Sequence, residues 1–139
     1  RPVREAVLGQ VLATIRRHGI ATAVVSVNDE QLLQDCVDAC GLRPYFDVVL
    51  SSEAARSCKP EPGMFEQATR ALGVPAADTV FVGDMPELDI AGAKRMGMWA
   101  VLTTEGAGFI GELHVAGPDG VPDATIASLA ELPALLGLV

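Results

Sequence analysis

Two aspartates in the run VFVGDMPELD, Asp84 and Asp89, have the most pointed spacing in the chain. Asp84 follows an apolar stretch and a glycine, and Asp89 comes where the next helix would begin. If the loop folds back, both carboxylates face one point. Two hard oxygen donors, with room left for water and phosphate, are how Mg2+ is usually held. The competing reading is an N-cap aspartate followed by an exposed helix acid. Ser26 ends a second apolar run and is followed by VND and a helical pattern. A hydroxyl beside the unsatisfied N–H groups of a helix start can hold an anion, and capping by Ser26, Asn28 or Asp29 would use the same residues. Lys59 precedes Pro60, which biases it toward extended backbone. Its ammonium could meet a phosphate or a carboxylate there, or lie in solvent.

Helix and strand patterns alternate around these residues. Residues 3–19 carry apolar positions at Val7, Val11, Leu12 and Ile15, end in basic residues and stop at Gly19, which predicts a helix. Residues 20–27 read as a buried strand, 29–41 as a helix with an acidic first turn, and 46–52 as a second strand. Residues 61–74 open with Pro62 and close at Gly73, the usual helix asymmetry. A third strand over 78–84, a short helix over 87–97 and a fourth strand over 98–104 follow. The Gly- and Pro-rich tract 105–123 is read as a surface loop, 124–128 as a short edge strand, and the end as a helix. This rhythm predicts one α/β domain over 1–139, with a mostly parallel sheet and helices on both faces. Sites in such sheets lie outside the carboxyl ends of the strands. The loops after Val27, Ser52, Asp84 and Thr104 therefore matter most.

Composition agrees with that class and excludes others. The chain has 139 residues, 50% of them hydrophobic and 4% aromatic, so Ala, Val, Leu and Gly must build the core. Its formal charge of -8 argues against a nucleic-acid or anionic-membrane surface, while leaving room for a local positive phosphate site. No apolar run approaches the roughly 20 residues of a membrane span, and no secretory leader pattern opens the chain. Cys36, Cys40 and Cys58 form no disulfide framework. Cys36 and Cys40 make a C-x-x-x-C pair on a predicted helix, but His18 and His114 lack ligand spacing to it. The three are expected to be buried or half-buried thiols in a reducing cytoplasm. Trp99 and Tyr45 are expected to pack in the core, and His114 has no assigned role.

Taken in order, the hydroxyl at a strand end, the Lys-Pro before a later helix and the strand-GD-x-x-x-x-D resemble the haloacid dehalogenase superfamily. The likeness runs along almost all of the chain, from RRHGI through CGLRPYFDVVLSSEAARSCKPEPGMF and VFVGDMPELD to VPDATIASLAELPALL. It implies a Rossmann-like core and a Mg2+-dependent phosphatase acting through an aspartyl-phosphate on a small phosphorylated metabolite, such as a sugar phosphate, nucleotide or phosphoglycolate. By the same resemblance, Ser26 with the N–H groups of Val27 and Asn28 would bind phosphate. Lys59 would neutralise it and the nucleophile, Asp84 would bind Mg2+, and Asp89 would bind or orient the ion through water.

The sequence departs from the family in one respect. The D-x-D-x-T/V motif that supplies the nucleophile and the general acid/base is absent, since no D-x-D occurs anywhere in the chain. The resemblance puts that motif and a cap before the first helix. It puts the missing strand in the middle of the sheet, between those of residues 20–27 and 78–82. Two expectations follow: the chain alone should lack turnover, and its inner sheet edges could drive self-association. A non-catalytic binding module or strand-complemented fragment is the rival from another class. A haloacid dehalogenase or a phosphomutase fits the GDMPELD loop less well.

Overall fold

The computed structural model describes residues 2–104 and 121–138. Among the described residues, five strands, parallel within each sheet, are interspersed with helices: α1 (Pro2–Arg17), β1 (Ala23–Ser26), α2 (Glu30–Ala39), β2 (Val48–Ser51), α3 (Ser52–Ala55), α4 (Pro62–Leu72), β3 (Val80–Gly83), α5 (Ala91–Arg95), β4 (Trp99–Thr103), β5 (Ala124–Ile126) and α6 (Leu132–Leu135). A π-helical turn, Pro86–Ile90, leads into α5. The mixed α/β class read from the sequence is the one observed, with strands and helices trimmed by a few residues at their ends.

The core shows why β4 is central to its sheet. Ala100 and Leu102 face a cluster of Phe65 from α4 with Ile90, Ala93 and Met98, while Val101 faces Val11 and Ile15 of α1 with Ile126 and Leu132. Alternate residues of one strand thus fill two layers, as the period of two requires. Phe65, Ile90 and Ala93 are fully buried. Burying a side chain the size of Phe65 or Ile90 contributes about 1.5–3 kcal/mol.

The strands form two sheets. β1 pairs with β2, and β3 with β4 and β5. No strand among the described residues joins β1 to β3. Both strands are also less buried than β4. All four residues of β1 are half-buried, and Val80 of β3 is exposed. Lys59 links them, reaching the Val25 carbonyl of β1 and the Asp89 carboxylate beside β3. The interruption falls where the family resemblance puts a further strand.

One device recurs at the amino ends of the two sheets. Asp47, just before β2, accepts the Thr22 N–H at 2.8 Å and Arg16 of α1 at 2.7 Å. Asp123, just before β5, accepts the Ala100 N–H at 2.8 Å and Lys94 of α5 at 2.9 Å. In each case a carboxylate ties an outer strand to its neighbour's backbone and to a basic residue near the end of a helix. Hydrogen bonds from Arg16 and Lys94, respectively, lead the causes that hold both carboxyls below their ordinary value.

Several expectations need correction. Trp99 is 58% exposed rather than packed in the core. It begins β4 two residues short of Val101, and its register partner Val80 is exposed as well. Cys36 and Cys58 are exposed rather than buried, and Cys40 is intermediate. The buried positions of α2 are Leu33 and Val37, which leaves Cys36 turned away from the core, and Cys40 is the C-cap. Tyr45 is half-buried. Residues 105–120, including His114, lie outside the described residues. No helix among the described residues is long and apolar enough to cross a membrane.

Candidate functional site

Lys59 and Asp89 are the centre of the site. The Lys59 Nζ lies 2.6 Å from Asp89 Oδ1, with the two side chains only 11% and 6% exposed. The same ammonium donates to the Val25 carbonyl at 3.2 Å and sits 5.4 Å from the centre of the Phe81 ring. Burying an ammonium is costly unless partners of this kind offset the lost solvation. The reading of Lys59 as an ordinary solvated side chain is therefore set aside.

Local chain geometry delivers both groups. Ahead of Lys59, the Glu61 carboxylate accepts the Ser57 hydroxyl at 3.3 Å and the Cys58 N–H at 3.2 Å, which ties down the loop. On the other side, α5 approaches through Gly92, where an added Cβ would run into the Phe65 ring and come within 3.3 Å of Pro60 Cα. Asp89 turns inward from the π-helical turn, whose widened backbone is a feature common at functional sites. The turn is marked by the Asp89 and Ile90 N–H groups, which both donate to the Met85 carbonyl, at 2.8 and 3.3 Å. Asp89 tucks against Gly83, where a Cβ would collide with its carboxyl group. Its second oxygen accepts the Met85 N–H at 3.2 Å. Asp89 is thus a buried, fully engaged carboxylate and not the exposed helix acid of the competing reading.

Asp84 differs in every respect. It follows β3 directly, is exposed, and has no hydrogen-bond or ion-pair partner among the described residues. No cluster of three or more metal-ligating side chains occurs among the described residues. The donors nonetheless suit Mg2+ as a partial set. A free hard carboxylate with its outer side open fits an ion that keeps several waters and takes further oxygens from substrate. Asp89 has one oxygen on Lys59 and the other on a backbone N–H, which suits it to orient its neighbours rather than to coordinate.

Ser26 ends β1, and its hydroxyl accepts the Asn28 side-chain amide at 2.9 Å. The Asn28 backbone N–H, expected to face an anion, donates to the Ser52 hydroxyl at 3.1 Å. The cap of α2 is Asp29, which accepts the Leu32 N–H at 2.7 Å. Val27 is exposed. Lys59 and Asp89 are brought into contact, and Lys59 is bonded to Val25, next to Ser26. Asp84 follows the carboxyl end of β3, and Ser26 is the carboxyl end of β1. Sequence reasoning missed Gly92, Ser52 and Glu53. The doublet after FDVVL and the small residues of DIAGAK were visible, but only the fold shows what each approaches.

Comparison with known proteins shows the family. The family profile of haloacid dehalogenase-like hydrolases matches residues 1–97. A phosphoserine phosphatase of Thermus thermophilus is 32% identical over 121 residues, covering 87% of this chain and 46% of that protein. The crystal structure of a HAD phosphatase from Thermococcus onnurineus superposes with a TM-score of 0.80 at 30% identity, covering 92% of this chain and 55% of that one. A 2-haloacid dehalogenase from Pseudomonas syringae pv. Tomato DC3000 has a TM-score of 0.69 at 34% identity, covering 85% and 46%. The chain spans about half the length of the curated relatives it matches. With a profile match over most of its length, the chain belongs to the haloacid dehalogenase-like hydrolases.

Proposed function

We propose that the protein carrying this chain is a Mg2+-dependent phosphomonoester hydrolase acting on a small phosphorylated metabolite. The observation that carries the reading is the buried Lys59–Asp89 pair, bonded to Val25 next to Ser26 and to Met85 next to Asp84. Phosphoryl transfer needs little more from a protein than positioning and charge neutralisation. Lys59 supplies a fixed positive charge, and Asp89 holds it in place. The Ser26 hydroxyl and the Val27 N–H would donate to phosphate oxygens, while the Asn28 N–H, also expected to do so, is taken by Ser52 and shapes the turn instead. Asp84 would hold Mg2+, which when bound would help neutralise the phosphate's charge. In this reading the attacking carboxylate sits on a strand between β1 and β3, forms an aspartyl-phosphate and is outside these residues. The edges of β1 and β3 that no described strand pairs support a strand at that position. The same edges favour a second reading, in which the strand comes from a partner or a second copy and the domain serves as a binding module.

The test is phosphate release by the protein as its gene encodes it, over a panel of sugar phosphates, nucleotides and phosphoglycolate. Each substrate is run with Mg2+ and with a chelator, and a 2-chloropropionate arm scores halide release. Mg2+-dependent phosphate release is the expected result. Halide release without Mg2+ would replace the reading with a dehalogenase. No turnover in either arm would leave the binding module.

A further inference from the structure

Two residues after β1, Asn28 and Glu30, are held by three consecutive residues where β2 runs into α3, Ser51, Ser52 and Glu53. The Ser52 hydroxyl donates to the Asn28 carbonyl at 3.2 Å and accepts the Asn28 N–H at 3.1 Å. The Glu53 N–H reaches the same carbonyl at 3.4 Å, and its carboxylate accepts the Glu30 N–H at 2.8 Å. Ser51, fully buried, donates to the Glu30 carboxylate at 2.9 Å. Asp29 takes the Leu32 N–H. Protein carboxylates therefore already occupy two N–H groups in the first turn of α2. Those two N–H groups are taken, and the Asn28 backbone is pinned at its N–H and its carbonyl from outside the loop.

We propose that Ser52 and Glu53 are positioning residues of the phosphate loop, fixing Val27 and Asn28 in the shape that receives substrate while touching no substrate themselves. The inference rests on the phosphatase reading above. Donors already in place need no reorganisation during reaction, and a short loop released from its tethers regains backbone freedom that binding must remove. Glu53 is exposed and Ser52 half-buried, so neither change opens a cavity in the core.

The experiment measures kcat, KM for p-nitrophenyl phosphate and the inhibition constant of inorganic phosphate, on the protein as its gene encodes it. The variants are Ser52→Ala, Ser52→Thr, Glu53→Ala, Glu53→Gln and Ser26→Ala. Ser52→Ala and Glu53→Ala should each raise KM and the phosphate inhibition constant together by about three- to tenfold, the range of one or two lost hydrogen bonds. Their melting temperatures should stay within about 2 °C of the unsubstituted protein. Ser52→Thr and Glu53→Gln keep an oxygen at the same place and should restore most of the loss. Amide exchange at residues 28 and 30 should quicken in both alanine variants, whether or not turnover is measured. Unchanged constants and exchange in these variants, beside an effect of Ser26→Ala, would overturn the positioning role and leave the phosphatase reading intact. No inhibition by phosphate and no effect of Ser26→Ala would overturn the phosphatase reading, and the inference with it.

Discussion

Substituting Gly83 by alanine isolates the geometry that holds the site together. A Cβ at this position would land on the Cβ, Cγ and Oδ2 atoms of Asp89. Asp89 is only 4% exposed and cannot swing into solvent. Its oxygens are fixed by Lys59 and by the Met85 N–H. Either β3 shifts, or Asp89 is pushed off Lys59 and leaves two charges without good partners. Overpacking of a tight site costs about 1–3 kcal/mol, and breaking a buried pair costs about 3–5 kcal/mol. Partial relaxation places the expected loss at about 2–4 kcal/mol, or a fall of about 10 °C in melting temperature for a domain of this size. Urea unfolding followed by circular dichroism reads the loss directly. The cycle with Asp89→Gly supplies the control, because removing the Cβ together with the carboxyl clears the space. In that background Gly83→Ala should cost less than about 1 kcal/mol, giving a large coupling energy. A loss below about 0.5 kcal/mol in the single variant, or strict additivity in the double, would refute the claim that Gly83 exists to admit Asp89.

Other variants probe other parts of the arrangement. Lys59→Met removes the fixed cation at the phosphate site and should lower kcat by about 10²–10³-fold in the phosphate-release assay. Gly92→Ala pushes on Phe65 and Pro60, so it should destabilise by about 1–3 kcal/mol in urea unfolding and reduce turnover through the displaced Lys59 loop. Asp47 and Asp123 have carboxyls below the ordinary value of 3.8 in the folded protein. The unfolded chain therefore binds more protons near that pH, and the stability they contribute is present above it and lost as pH falls through the lowered folded value. Melting curves across pH 2–6 should show Asp47→Ala and Asp123→Ala costing most at the upper end and converging on the unsubstituted protein at the acid end.

Much of this was legible in the sequence because it depends on local pattern. The short continuous apolar runs ending at Ser26, Ser51 and Gly83 are strands, and Pro62 with Gly73 brackets α4. The spacing of Asp84 and Asp89 pointed to a shared loop. It could not show that one carboxylate is buried against a lysine 30 positions away while the other stands free. That division comes from the π-helical turn and the close approach at Gly83, both tertiary effects. Trp99 and Cys36 were misjudged because their types favour burial, whereas their burial is set by how far a strand extends past its cover and which stripe of α2 meets the core. The Ser51-Ser52-Glu53 tether was invisible because it joins segments more than 20 residues apart.

The most direct test of the central claim is the Mg2+ dependence of phosphate release, compared between the protein as its gene encodes it and its Asp84→Asn and Asp89→Asn variants. The account predicts a rate that requires Mg2+. Asp84→Asn should greatly raise the Mg2+ concentration needed, and Asp89→Asn should lower stability as well as rate. A rate indifferent to chelation, or an Asp84→Asn variant with an unchanged Mg2+ requirement, would contradict it.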